Sequence, residues 1–438
     1  MKGVEEFRLA RYEFILEAVD NLFLPPYKGS TLRGGFGTAF RRIACSAGRA
    51  DCRDCVLKAP CPYAYVFETM PMDGSEALAK FEHVPHPFVL EPPLTEEREF
   101  GPGDQLSVGL VLVGRGIEFL PYFIAAFQEF GRMGIGRGRG RFRLRNVYAS
   151  VGVPHSQDKS GGDERRFQPG GSASGPIAAH DTSCAKEDNR ACGTDGAGHS
   201  DNSDPRALVF DGKANKVYMR DAAVTWADIV ETARGISRRL RQASDRGPEG
   251  GRPSTTSGPM VVSDSESASP VLGGTSACPA AAESRGSCES DPSCAPPRVT
   301  VVFRTMTRLK FQGGLEDRPE FHVLMRSLLR RASSLLYFHH GTRLDMDFRG
   351  FIARAELVEL AAQDARWVDW ERYSSRQDTR MKLGGLVGTA TYEFCDADLA
   401  EFFLPWLILG EYIHVGKGCT FGLGLISLQP GCKRANGR

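Results

Sequence analysis

The last third of the chain changes hydrophobic period in an ordered way. "RVTVVFRTMTRLKF" (298–311) has the alternating and continuous apolar runs of a strand, and "PEFHVLMRSLLRRASSLLYFHH" (319–340) sets Phe321, Leu324, Met325, Leu328, Ala332, Leu335 and Leu336 at helical spacing. "RWVDWERYSS…LVGTATYEF" then offers two strands around a polar turn. "DADLAEFFLPWLILGEYIHV" predicts a second helix opened by an Asp396 or Asp398 cap, and "LGLISLQ" a closing strand. The order is β-α-β-β-α-β.

The first 150 residues repeat that order. "FRLARYEFILEAV" is a strand, "GSTLRGGFGTAFRRIAC" a helix, "HPFVLEPP" and "QLSVGLVLVG" two strands, "GIEFLPYFIAAFQEFGRM" a helix and "RFRLRNVYA" a strand. The pattern predicts an α+β protein of two ferredoxin-like (βαββαβ, RRM-like) domains, over 5–150 and 298–430. Between them, 151–205 and 244–297 are rich in Gly, Ser, Pro and Asp, and too poor in large apolar residues to offset chain entropy. Both are expected to be disordered, flanking a short hairpin and helix at 206–243.

Charge changes this picture more than composition does. The chain carries a net +1, but the two linkers are each −4, which leaves +9 on the presumed folded part. A basic body favours an anionic partner, nucleic acid above all. No apolar stretch is long enough to span a bilayer and no basic head precedes an apolar run, so a soluble, cytoplasmic protein without a membrane partner is expected.

Of twelve cysteines, five (Cys184, Cys192, Cys278, Cys288, Cys294) lie in the linkers and four crowd into 45–61. Cys45, Cys52, Cys55 and Cys61 form a C-x6-C-x2-C-x5-C arrangement in a polar stretch. The inner pair can chelate from one turn and the outer pair can complete a four-sulfur tetrahedron. A structural Zn2+ is expected; a [4Fe–4S] cluster uses the same four thiolates.

Two glycine-rich loops, "GIGRGRG" (134–140) and "GKGCTFGLG" (416–424), join the second helix of each unit to its last strand. A helix before and a strand after is the reverse of the order in dinucleotide and Walker loops, so no nucleotide cofactor is expected. Arg137, Arg139, Arg141, Arg143 and Arg145 alternate after the first loop, as do Arg304, Arg308 and Lys310 on the strand 298–311, and both rows suit phosphates.

These pieces together ("YKGSTLRGGFG", "GIGRGRGRFRL", "FRTMTRLKF…EFHVLMRSLLRR…LLYFHHG" and "HVGKGCTFGLGLISL") resemble the RAMP-type CRISPR-associated endoribonucleases that process precursor CRISPR RNA. The resemblance implies binding of CRISPR repeat RNA across both units, with metal-independent cleavage that leaves a 2′,3′-cyclic phosphate. The alternative is a noncatalytic RNA-binding subunit among other CRISPR effector subunits. Many members place a catalytic histidine near the first helix, whereas 21–44 of this chain holds none, and Tyr27, Lys28, Ser30 and Arg33 stand there. The expected general acid or base is therefore His414, beside Lys417 as a cation for the phosphate, with Tyr27, Lys28, His339 and His340 as rivals. Arg33, Arg137, Arg139, Arg141, Arg304, Arg308, Lys310, Gly416, Gly418, Gly422 and Gly424 are the expected RNA contacts.

Overall fold

The first unit builds β1 (Arg8–Ala18), β2 (Leu22–Phe23), α1 (Gly29–Ala44), α2 (Pro62–Phe67), β3 (Phe88–Glu91), β4 (Glu99–Phe100), β5 (Gln105–Val113), α3 (Leu120–Met133) and β6 (Phe142–Ser150). The computed structural model describes residues 2–48, 51–52, 54–69, 84–153, 206–218, 220–245, 296–374 and 379–430. Most of the two segments expected to be disordered, 154–205 and 246–295, lies outside the described residues, with the linker cysteines.

Sheet order in this unit is β3-β5-β1-β6, all antiparallel, the strand order of a ferredoxin-like fold, with β2 and β4 paired apart from it. One face of β1 buries Ala10, Tyr12, Phe14 and Leu16 against Phe36 and Phe40 of α1 and Phe123 and Phe127 of α3. Through Leu9, Val89, Val111 and Val113 the opposite face joins the core of the second unit. Burial on both faces at Leu9 and Ala10, and again from Leu16 to Ala18, blurs the alternation that β1 keeps between Arg11 and Ile15.

The segment between the units does more than connect them. Its strand β7 (Arg206–Asp211) extends the first sheet beside β6, with β8 (Lys216–Val217) beyond, and β9 (Val224–Thr225) pairs with the start of β1. Helix α4 (Trp226–Asp245) then crosses to the second unit. There Ile229, Ala233, Ile236 and Leu240 are buried at helical spacing and Trp226 meets Trp406 with ring centroids 5.2 Å apart. Ser237 donates to Glu401 at 2.9 Å, and Arg241 to Asp398 at 2.7 Å.

In the second unit the order is β10 (Arg298–Thr307), β11 (Leu309–Phe311), β12 (Gly314–Glu316), α5 (Phe321–His340), α6 (Phe348–Ala355), β13 (Glu359–Gln363), β14 (Arg366–Val368), β15 (Glu371–Ser374), β16 (Thr379–Lys382), β17 (Gly385–Glu393), α7 (Ala397–Ile413) and β18 (Ile426–Pro430). The sheet runs β13-β17-β10-β18, the same ferredoxin-like order, with β14 also paired to β17. Asp396 caps α7 by accepting from the Leu399 amide at 2.7 Å. The long strand expected over 298–311 is broken: its pairing with β17 shifts between Phe303 and Thr307, and β11 turns away to form a hairpin with β12. Helices α2 and α6 and strand β13 were not anticipated. Five mostly exposed residues, three of them small or aliphatic, give β13 little pattern to read.

Candidate active site at the junction of the two units

The end of α7 is gripped by two arginines from different elements. Arg11 of β1 donates to the Glu411 carbonyl at 2.6 Å and Arg331 of α5 to the Ile413 carbonyl at 2.6 Å, so guanidinium charge meets the negative end of the helix. His414 follows as the C-cap with φ 61° and ψ 169°, a conformation that L residues rarely adopt. Its ring is 0% exposed, with Nδ1 3.0 Å from the Leu423 carbonyl and Nε2 3.3 Å from Oε1 of Glu91. Glu91 also accepts from Arg11 at 2.7 Å.

The electrostatics of this trio follow from its burial. Desolvation pushes the His414 pKa down, with the Glu91 carboxylate opposing it. For Glu91 desolvation would raise the pKa, but Arg11 and then His414 outweigh it and hold the carboxyl at about 2. Both nitrogens of His414 thus face oxygen acceptors inside the protein. His414, the expected general base or acid, is enclosed by protein in this structure.

The glycines of the same loop are also committed to packing. At Gly422 (φ +79°) a Cβ would strike Pro92 of the first unit and come within 2.8 Å of the Leu90 carbonyl; at Gly424 (φ +75°) it would strike the Val415 carbonyl. Gly416 lies against the Arg308 backbone and Gly418 against the Leu423 side chain. The loop is a close-packed joint between the units, and of its expected phosphate-facing groups Lys417 alone is exposed.

Against this joint sits the start of α1. Tyr27 donates to the Phe421 carbonyl at 2.7 Å, and the guanidinium of Arg33 lies 4.7 Å from the Phe67 ring centroid and 5.5 Å from that of Phe421. Lys28 is 0% exposed, donating to the Thr95 carbonyl at 2.8 Å and the Pro26 carbonyl at 3.4 Å. Burial, aided by nearby Arg98 and opposed by Glu97, brings its pKa down to about 8. Tyr27, Lys28, Arg33 and the glycine loop, from opposite ends of the chain, therefore meet in one place.

His339 and His340 make their contacts elsewhere, holding the end of α5 against the first unit. His339 is 4% exposed, with Nε2 2.7 Å from the Pro85 carbonyl and Nδ1 3.0 Å from the Tyr65 hydroxyl. One neutral tautomer satisfies both bonds, and burial lowers the pKa to about 4. Nε2 of His340 accepts from the Arg8 amide at 3.0 Å.

The basic rows are only partly as expected. Arg137 and Arg139 are exposed on the 134–140 loop. Arg141, Arg143 and Arg145 do share one face, but Arg141 pairs with Asp20 at 2.8 Å, and Arg143 and Arg145 with Glu17 at 2.8 and 2.5 Å. Their mutual repulsion is relieved by carboxylates of neighbouring β1, without any phosphate. Arg304 and Arg308 are half-buried and Lys310 is exposed, with Arg308 in the gap between β10 and β11. Arg11, Glu91 and Arg331 were missed; their signal was a charge set within or beside apolar runs.

The four clustered cysteines line one cavity of about 240 Å3. Among the described residues, no three His, Cys, Asp or Glu side chains stand close enough as placed to hold a metal. Nor, among those residues, is any helix long and apolar enough to cross a membrane.

Comparison with known proteins places these units. Residues 301–426 match the family described as CRISPR-associated endoribonuclease Cas6, and residues 7–164 a family described as an N-terminal domain. A protein of Archaeoglobus fulgidus, itself uncharacterised, is 27% identical over 114 residues, 26% of this chain; the match spans 37% of that protein's length. A solved Thermus thermophilus Cas6 aligns over 97% of this chain and 99% of its own at 12% identity, with a TM-score of 0.41. A partial Cas6-RT-Cas1–Cas2 complex aligns over 98% of this chain and 47% of its own at 12% identity, with a TM-score of 0.45.

Proposed function

We propose, starting from the match of residues 301–426 to the CRISPR-associated endoribonuclease Cas6 family, that the chain cleaves CRISPR precursor RNA within its repeats. That family match carries the reading. The reaction we infer is in-line attack of a ribose 2′-hydroxyl on the adjacent phosphate, breaking the bond to the 5′-oxygen and leaving a 2′,3′-cyclic phosphate and a 5′-hydroxyl. It needs a base, an acid and a cation near the phosphate, all within reach of side-chain chemistry.

Two residues at the junction suit those needs. Lys28, with a pKa of about 8, offers a neutral amine under mildly alkaline conditions once the Thr95 carbonyl moves off it. Lys417 brings an exposed cation on the adjoining loop, and Arg137 and Arg139 extend the positive surface on the first unit. His414 positions the joint and touches no substrate. Other CRISPR proteins are proposed as partners of the processed RNA or of this chain.

Single-turnover cleavage of a repeat RNA tests this, in chelator, with a 2′-deoxy substrate as the control. Cleavage should persist in chelator and vanish on the deoxy substrate. Lys28→Ala should lose roughly a hundred- to ten-thousand-fold in rate, and the wild-type rate should climb with pH and level off near 8. A Lys28→Ala rate within a few-fold of wild type, at unchanged binding, removes Lys28 from the mechanism. The second reading, a noncatalytic RNA-binding subunit, draws on the burial of His414 and His339 and the carbonyl contacts of Lys28. Tight binding of the ribose substrate without cleavage at any pH would establish it instead.

A further inference from the structure

We propose that Cys45, Cys52, Cys55 and Cys61 bind one zinc ion as a four-thiolate centre that ties the end of α1 to the start of α2. From 45 to 61 these four are the only described residues that are even half-buried; every other described residue there is exposed, including Val56 at 94%. The four cysteines line one cavity together with Ser46, Ala47, Leu57, Lys58 and Pro60 of the same stretch, and they are its least exposed described residues. Reduced core cysteines would instead sit among buried neighbours from their own loop.

Sequence and surroundings suit the same ligand. The spacing C-x6-C-x2-C-x5-C puts a chelating pair in the middle and one thiol at each helix end, since Cys45 is the C-cap of α1 and Cys61 immediately precedes α2. Arg41 stands one turn before Cys45 on α1, and Lys58 lines the cavity. Two cations beside the sulfurs offset the net negative charge of a zinc ion with four thiolates. Bonds of about 2.3 Å require the thiols to draw in from their present places, and the neighbours of Cys52 and Cys55 in the loop, Asp51, Asp54, Val56 and Leu57, are exposed.

The centre's effect is mechanical. Helix α2 stacks Tyr63 on Phe67 (5.2 Å, 17°), lays Phe67 under Arg33, and sends the Tyr65 hydroxyl to His339 of the second unit. Fixing the start of α2 fixes those contacts.

The test uses the full chain purified anaerobically with reductant. One zinc per chain is expected by elemental analysis, in a colourless protein, released in step with titration of four thiols by an organomercurial. Chelation should lower the melting temperature by several degrees, and added zinc should restore it. Cys55→Ser should abolish stoichiometric zinc while Cys395→Ser retains it; should Cys55→Ser fail to fold, mercurial release from the wild type still reads the site. A zinc-free chain whose melting temperature is indifferent to zinc overturns the proposal. A brown protein carrying iron and sulfide also overturns it, in favour of a cluster.

Discussion

At the scale of single residues, the junction shows how burial changes what a titratable group can do. His414 occupies a backbone region that suits glycine, a strain on the order of 1–3 kcal/mol, and its enclosed ring stands between Glu91 and the Leu423 carbonyl, to one of which a neutral imidazole donates. His339 gives the clearest pH consequence. Its folded pKa of about 4 lies below the unfolded value near 6.5, so between those values the unfolded chain holds a proton that the folded chain does not. Stability should therefore fall as pH drops through that window, by up to about 3 kcal/mol for this group. Glu91, with a folded pKa of about 2, adds a second loss only below about 4.5. Melting curves from pH 7 to 4 should show the first decline in wild type and a shallower one in His339→Gln; identical slopes would mean that His339 titrates normally.

At the scale of elements, the loop after α7 is where geometry overrode the chemical reading of sequence. Four glycines beside a lysine and a histidine look like a phosphate cradle, yet Gly422 and Gly424 are needed so that one backbone can lie on another. Gly422→Ala should cost about 2 kcal/mol or more, because φ +79° and the contact with Pro92 both oppose a side chain. Chemical denaturation would show it; a change under 0.5 kcal/mol, on the order of an ordinary surface substitution, would mean that the units do not meet there. The regular elements were legible because helical spacing along 321–340 and apolar runs in β1 and β5 are set by burial, and burial leaves a period. The break in β10, the hairpin of β11 and β12 and the short β13 were not, since pairing partners rather than period decide them. For the candidate site, sequence named Tyr27, Lys28 and His414 but not Arg11 and Glu91, whose importance comes from contact across hundreds of residues.

At the scale of the whole molecule, the joins between the two ferredoxin-like units include the core under β1, the glycine loop, the histidines at the end of α5, and α4 lying on α7. RNA bound to such a body should show a salt slope set by unpaired exposed cations. Arg137→Ala, Arg139→Ala and Lys417→Ala should each lower the slope of log K against log salt by about 0.7 for a single-stranded contact. Arg143→Ala should change it far less, because that arginine already answers Glu17. Equal effects at all four positions would show that the Glu17 pairs open on binding. The trio of Arg11, Glu91 and His414 has one more consequence, for the chain while it is being made. Glu91 leaves the ribosome 323 residues before His414 does, an interval of roughly 15–60 s at 5–20 residues per second. Throughout it the newborn first unit presents an ion pair where its late-arriving cover will dock, so that part of the waiting surface is wetted by water and offers a stray nascent chain nothing to stick to.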